Sequence, residues 1–164
     1  MKKLLLGLGL ALVASASLMS CSKGEYNSGD KQTGYNKWAD KNRSSFTAKI
    51  NGSDFVAVYS YAYYPIIITK YLGLSGFGTS ESDPHGFAIL LKKNEKGVHI
   101  ISSTTDNGIA YTSKEGVTVK ADSGSVIITD LSDTRVKGTF KMTASEGSLI
   151  VTDGLFDLPI VEFK

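Results

Sequence analysis

A second cysteine is missing from this sequence, and with it every intramolecular disulfide: Cys21 stands alone among 164 residues. The fold therefore stands on its apolar core. Histidine is almost as scarce. His85 and His99 are the only two, and neither has a His or Cys neighbour at metal-ligand spacing, so no metal site is expected. There is no Gly-x-Ser-x-Gly elbow, no phosphate-binding loop and no His-Glu-x-x-His, and no motif implies a cofactor. A Ser-His-Asp triad is assembled in space and leaves no spacing signature, so composition carries no signal for one. These absences favour a protein that is not an enzyme. No basic run reaches five residues, which argues against nucleic acid as a partner. No apolar run after the first twenty residues is long enough to cross a bilayer. No segment shows a sustained helical period, and no fixed repeat suggests a propeller or solenoid.

What is present begins at the N-terminus. Lys2 and Lys3 precede an apolar run from Leu4 to Leu18, and Leu18-Met19-Ser20-Cys21 follows. At about 1.5 Å per residue the run spans roughly 22 Å, short of a ~30 Å hydrocarbon core, so it reads as a cleaved signal and not a spanning helix. The segment resembles the bacterial lipoprotein signal, in which the cysteine is lipidated and becomes the new N-terminus. The resemblance implies residues 1–20 as signal peptide, Cys21 as the lipidation site, and the membrane as a partner through that anchor. Each buried CH₂ contributes about 0.8 kcal/mol, so several acyl chains hold a protein durably to a leaflet. Cleavage would remove Lys2 and Lys3 and leave 16 basic against 16 acidic residues. Residues 21–43 are polar, contain glycine and lack periodicity, and are expected to form a flexible tether with a root-mean-square reach of roughly 25 Å. Trp38 has no role in a tether; it either docks on the domain or the headgroup region, or is an isolated exposed aromatic. Ser22-Lys23-Gly24-Glu25 follows only in part the Lys-then-acidic pattern that marks outward export in some Bacteroidota lipoproteins. The expected location is the cell envelope, at the outer membrane, with the leaflet left open.

From Ser44 to Lys164 the period is two. Phe46, Ala48 and Ile50 fall on one face, and Asn51-Gly52 follows, a pair suited to a hairpin turn whose central residues both need φ > 0. Arg135 to Thr143 alternates more cleanly, with Val136, Gly138, Phe140 and Met142 facing in. Turns are expected at Asp83-Pro84, Asn94 to Gly97, Asp106 to Gly108, Asp122-Ser123-Gly124, Ser132-Asp133, Ser145 to Gly147 and Asp153-Gly154. Strand-like runs lie between them at 59–64, 66–71, 86–91, 98–102, 117–121, 125–129, 149–152 and 156–163. The fold class is all-β: an antiparallel sandwich or a closed calycin-like barrel of about 8–11 short strands.

Three stretches, Gly124 to Asp130, Val136 to Ala144 and Val151 to Leu158, follow the patterns G-x-I-x-I-T, G-T-F-x-x-x-A and I-T-x-G-x-F-D. They resemble a family of uncharacterised Bacteroidota lipoproteins built on a domain of unknown function. Phe46 to Gly52 resembles that family's opening hairpin, and Phe55 the aromatic after it; residues 59–115 match poorly. The resemblance implies the all-β fold and the anchor, and supplies no activity. Gly138 and Gly154 would take bulge or turn positions, and Phe140 and Phe156 core positions.

Two features bear on ligands. Asp122, Asp130, Asp133, Asp153 and Asp157 cluster in C-terminal turns; their spacing is not that of a calcium loop, and they read as turn-forming residues. In Tyr59-Ser60-Tyr61-Ala62-Tyr63-Tyr64, strand geometry places Tyr59, Tyr61 and Tyr63 on one face, where they either bind a ligand or pack as ordinary strand residues. Pro65 ends that strand or marks an edge. The sequence thus suggests a non-catalytic binding or accessory module taking a glycan, a peptide or a small apolar ligand. A calycin-like carrier with the tyrosines inward, and an envelope enzyme, are the alternatives.

Overall fold

The structure, a computed structural model, describes residues 44–65, 70–78 and 85–161. The expected signal peptide (1–20) and tether (21–43), with Cys21 and Trp38, lie outside the described residues. Ten strands and no helix occur among those residues: β1 (Ser45–Ile50), β2 (Ser53–Val56), β3 (Tyr59–Tyr63), β4 (Leu72–Phe77), β5 (Gly86–Leu91), β6 (Gly97–Ser102), β7 (Gly108–Thr112), β8 (Thr118–Leu131), β9 (Arg135–Ala144) and β10 (Leu149–Val161).

Pairing runs β10-β3-β4-β5-β7-β8-β9 and returns to β10, so seven strands close a barrel. The β1–β2 hairpin attaches to β10 and β6 attaches to β8, both outside the ring. Of the two architectures expected, the chain adopts the barrel. Every pair is antiparallel except the short parallel contact of β10 with β3. The expected hairpin turn is present, with φ of 48° at Asn51 and 83° at Gly52.

Closure depends on two long strands that the sequence pattern divided into short ones. Asp122-Ser123-Gly124 is not a turn: β8 runs through it for 14 residues, with register shifts after Ala121 and after Ile128. Its first residues pair with β7, and those from Ser123 to Ile128 pair with β6. Asp153-Gly154 is likewise inside β10, at a bulge where Asp153 takes φ 52°. A bulge needs the same Asp and Gly chemistry as a turn, and it bends a strand instead of ending it. These bends let β8 and β10 serve both walls of the barrel. Two further strands, β4 and β7, were not expected at all, and residues 66–69 of one expected run lie outside the described set.

The interior belongs to the residues that alternation selects. Phe46, Ala48, Val136, Phe140, Met142 and Phe156 are buried, as expected. Phe46 and Phe87 stack at 5.8 Å between centroids, Phe46 and Phe140 lie 5.0 Å apart, and Phe87 and Phe140 meet edge-on at 5.3 Å. A ring of about eight strands is just wide enough for side chains to fill, and here phenylalanines take the centre. Each such burial contributes roughly 1.5–3 kcal/mol. Gly138 occupies a regular position of β9, not a bulge: the Phe156 ring and the Ile127 carbonyl leave no space for a Cβ.

Candidate functional site

The three tyrosines share a face, and that face is the outside of the barrel. Within β3, Ala62 is fully buried opposite Leu74 and beside Ile160, which fixes it as the inward residue. Tyr59, Tyr61 and Tyr63 alternate with it and pair with Phe77, Ser75 and Gly73 of β4. All three are half-buried. An inward tyrosine lining, as a carrier reading required, is not how this barrel is built.

The Tyr63 ring lies down on the sheet. It covers Gly73 so closely that a Cβ there would come within 2.4 Å of it. Tyr61 sits 5.9 Å from Tyr63 and 6.4 Å from Phe77 between ring centroids, with tilted planes. Ser75, the small residue opposite Tyr61, is only 4 % exposed although it points outward. The β4 sequence Leu-Gly-Leu-Ser-Gly-Phe explains this. Its leucines fill the interior, while Gly73 and Ser75 make a low floor on which aromatic rings settle, a known way of covering a glycine in a sheet. That pattern of large and small residues was the available signal for Gly73, Ser75 and Phe77, which β-propensity alone passes over.

The resulting strip is contiguous and free of charge. Further floor residues, Gly86, Ala88, Gly108 and Ala110, continue outward-facing across β5 and β7. Among the outward strand residues of this wall the charged one is Lys120 of β8, four strands from the tyrosines. Burial raises the Tyr63 phenol above its ordinary pKa. Flat, neutral ring faces suit stacking against the C–H face of a sugar or a planar peptide group.

The other candidates have structural explanations. His99 is buried, and its Nε2–H donates to the Glu95 carbonyl at 2.9 Å. His85 is buried edge-on against Phe55 and packs on Gly78. Among the described residues no three His, Cys, Asp or Glu side chains converge as a metal site. The aspartates act locally: Asp122 accepts the Glu146 N–H at 3.0 Å, Asp130 takes Lys96 at 3.0 Å, Asp153 takes Lys49 at 3.4 Å, and Asp157 holds Arg135 at 2.5 Å. A cleft of about 360 Å³ beside β6 is lined by Lys92, Lys93, Glu95 and Asp106 among others, and its charges pair with one another, Lys92 with Asp106 and Lys93 with Glu95.

No protein-family model matches the chain, and neither a curated protein nor a solved structure is significantly similar to it.

Proposed function

We propose that this chain is a lipid-anchored module of the bacterial cell envelope that binds and does not catalyse, with the strip Tyr59–Tyr61–Tyr63–Phe77 as its contact surface. One observation carries the reading: neighbouring aromatic rings, Tyr63, Tyr61 and Phe77, packed side by side on the outer face of β3 and β4, which carry no outward charged residue. Contiguous exposed apolar surface of this kind marks interaction sites. The ligand class that fits is a neutral glycan or a peptide segment of the envelope. Cys21 and the polar stretch after it would hold the domain near the bilayer, consistent with the lipoprotein family that the C-terminal motifs resemble.

Binding of the full chain to neutral envelope polysaccharides and to peptidoglycan fragments tests the site. Tyr61→Ala should weaken binding about tenfold, since one stacked aromatic contributes about 1–1.5 kcal/mol. Leu155→Ala, on the opposite wall, should leave it unchanged. Equal losses would place the surface elsewhere. The anchor is tested separately: Cys21→Ser should release the protein from the membrane fraction and abolish acylation.

A further inference from the structure

The aromatic strip stands where the chain enters the barrel. Along the flank of β10 not taken by β9, β1 pairs as far as Ser45 opposite Asp157, and β3 takes over with Ala62 beside Ile160. Three residues of β10, about 10 Å, separate the two contacts. β1 runs antiparallel to β10, so the chain leading into Ser45 points along β10 toward β3. The interior is filled there by Phe46 and its neighbours, and the outer surface of β3, where the tyrosines lie, is within reach.

The sequence just upstream is Gly34-Tyr35-Asn36-Lys37-Trp38-Ala39, the place where a polar stretch carries aromatic residues for which a tether has no use. Trp38 stands six residues before Ser44, an extended reach of about 20 Å. The strip from Tyr59 to Tyr63 is about 13 Å long, so Trp38 and Tyr35 can reach every ring of it.

We propose that the segment Tyr35–Trp38 docks on the Tyr59–Tyr61–Tyr63–Phe77 strip as an intramolecular strap. The indole and the Tyr35 ring stack on the tyrosine rings, which themselves cover Gly73. The attachment of the segment at Ser44 makes this contact intramolecular, with an effective concentration in the millimolar range for a short linker, so weak stacking suffices. Where the strip also binds a ligand, a consequence that rests on the functional reading above, strap and ligand compete for it.

Trp38 is the chain's one tryptophan, so emission excited at the red edge of the indole band, where the tyrosines do not absorb, reports on it alone. The test uses the full chain in detergent with no ligand, and so stands whether or not a glycan or peptide is ever found. Docking predicts blue-shifted emission and several-fold protection from acrylamide, both lost in Tyr61→Ala and kept in Leu155→Ala. A second variant leaves the barrel untouched: Trp38→Ala should raise nitration of Tyr59 and Tyr61 by tetranitromethane several-fold, read by mass spectrometry. Emission and quenching like those of a free indole would overturn the proposal. Protection that survives Tyr61→Ala, with nitration unchanged in Trp38→Ala, would also overturn it. So would protection that appears only as protein concentration rises, which would put a second copy on the strip.

Discussion

The two walls of this barrel cover their outer backbones by opposite means. On the β3-β4-β5-β7 wall many outward residues are small, Gly73, Ser75, Ala88, Gly108 and Ala110 among them, and the Tyr63 ring lies over Gly73. On the other wall a single row crosses six strands by direct pairing: Val56, Thr47, Leu155, Thr139, Ile127 and Val98. These side chains stand upright, and Leu155 and Val98 are 54 % and 63 % exposed. The neighbouring row is ionic, with Ser45, Asp157, Lys137 and Asp130 in register, and Arg135 and Lys96 bonded to it. The aliphatic wall thus exposes more of each apolar residue, beside a neighbouring row of charges. The aromatic wall exposes less per residue but joins it into one neutral surface. Continuity, more than the sum of exposed apolar area, separates a candidate contact surface from ordinary sheet covering.

Both walls lean on the same phenylalanine cluster, so the largest effect should come from breaking it. Phe140→Ala should destabilise by about 3–5 kcal/mol, because Phe140 touches both Phe46 and Phe87 and no neighbour refills its volume. Lys141→Ala, the next residue and exposed, should change stability by less than about 0.5 kcal/mol. Chemical denaturation of the two variants checks this, and equal losses would mean that β9 has its faces reversed.

What the sequence could show follows the same division. The aliphatic wall was largely legible, because β1 and β9 alternate large apolar with polar residues and Asn51-Gly52 declares its turn. The aromatic wall was not. β4 carries glycines at Gly73 and Gly76, where rings of Tyr63 and Phe46 take the space, and glycine lowers every strand propensity. β7 starts at a glycine inside an expected turn. The shared face of Tyr59, Tyr61 and Tyr63 was legible from their spacing, but its direction was not, since inward and outward faces differ only in which neighbouring strand supplies leucine. The lengths of β8 and β10 were hidden because the bulges at Asp122 and Asp153 use turn residues.

Glycine substitutions sharpen the contrast at the next level of effect. At Gly154 a Cβ would meet the Phe140 carbonyl oxygen at 2.4 Å, backbone that cannot swing aside. Gly154→Ala should therefore cost about 3 kcal/mol. At Gly73 the obstacle is the far end of the Tyr63 side chain, which can lift. Gly73→Ala should cost only about 1 kcal/mol, while it exposes the Tyr63 ring. The Tyr63 phenol, raised by burial in the native chain, would return toward its ordinary pKa. A raised phenol binds its proton more tightly folded than unfolded, so its contribution is complete below about pH 10 and is lost as pH rises through the folded value. Gly73→Ala should shrink that alkaline loss. Denaturation midpoints across the alkaline range, with Tyr63 ionisation followed by ultraviolet absorbance, would test both statements. Equal costs at the two glycines would show that the rings are as fixed as the backbone.

The smallest effect belongs to the ionic row and runs the other way in pH. Burial opposes the charged form of Asp157, but hydrogen bonds from Arg135 at 2.5 Å and Lys137 at 3.3 Å, with their charges, outweigh it and hold its pKa below the ordinary carboxylate value. A lowered carboxylate contributes stability above its unfolded pKa of about 3.9 and loses it as pH falls through the folded value. Asp157→Asn should thus cost up to about 1 kcal/mol at neutral pH, since the pair is partly exposed, and progressively less below about pH 4. Urea unfolding of both chains at neutral pH and near pH 3 measures the difference. A gap that stays constant would mean that the ion pair adds nothing and that side-chain packing alone orders the row. A gap that closes in acid would show the aliphatic wall weakening first at low pH while the aromatic wall weakens first at high pH, each through the group that covers it.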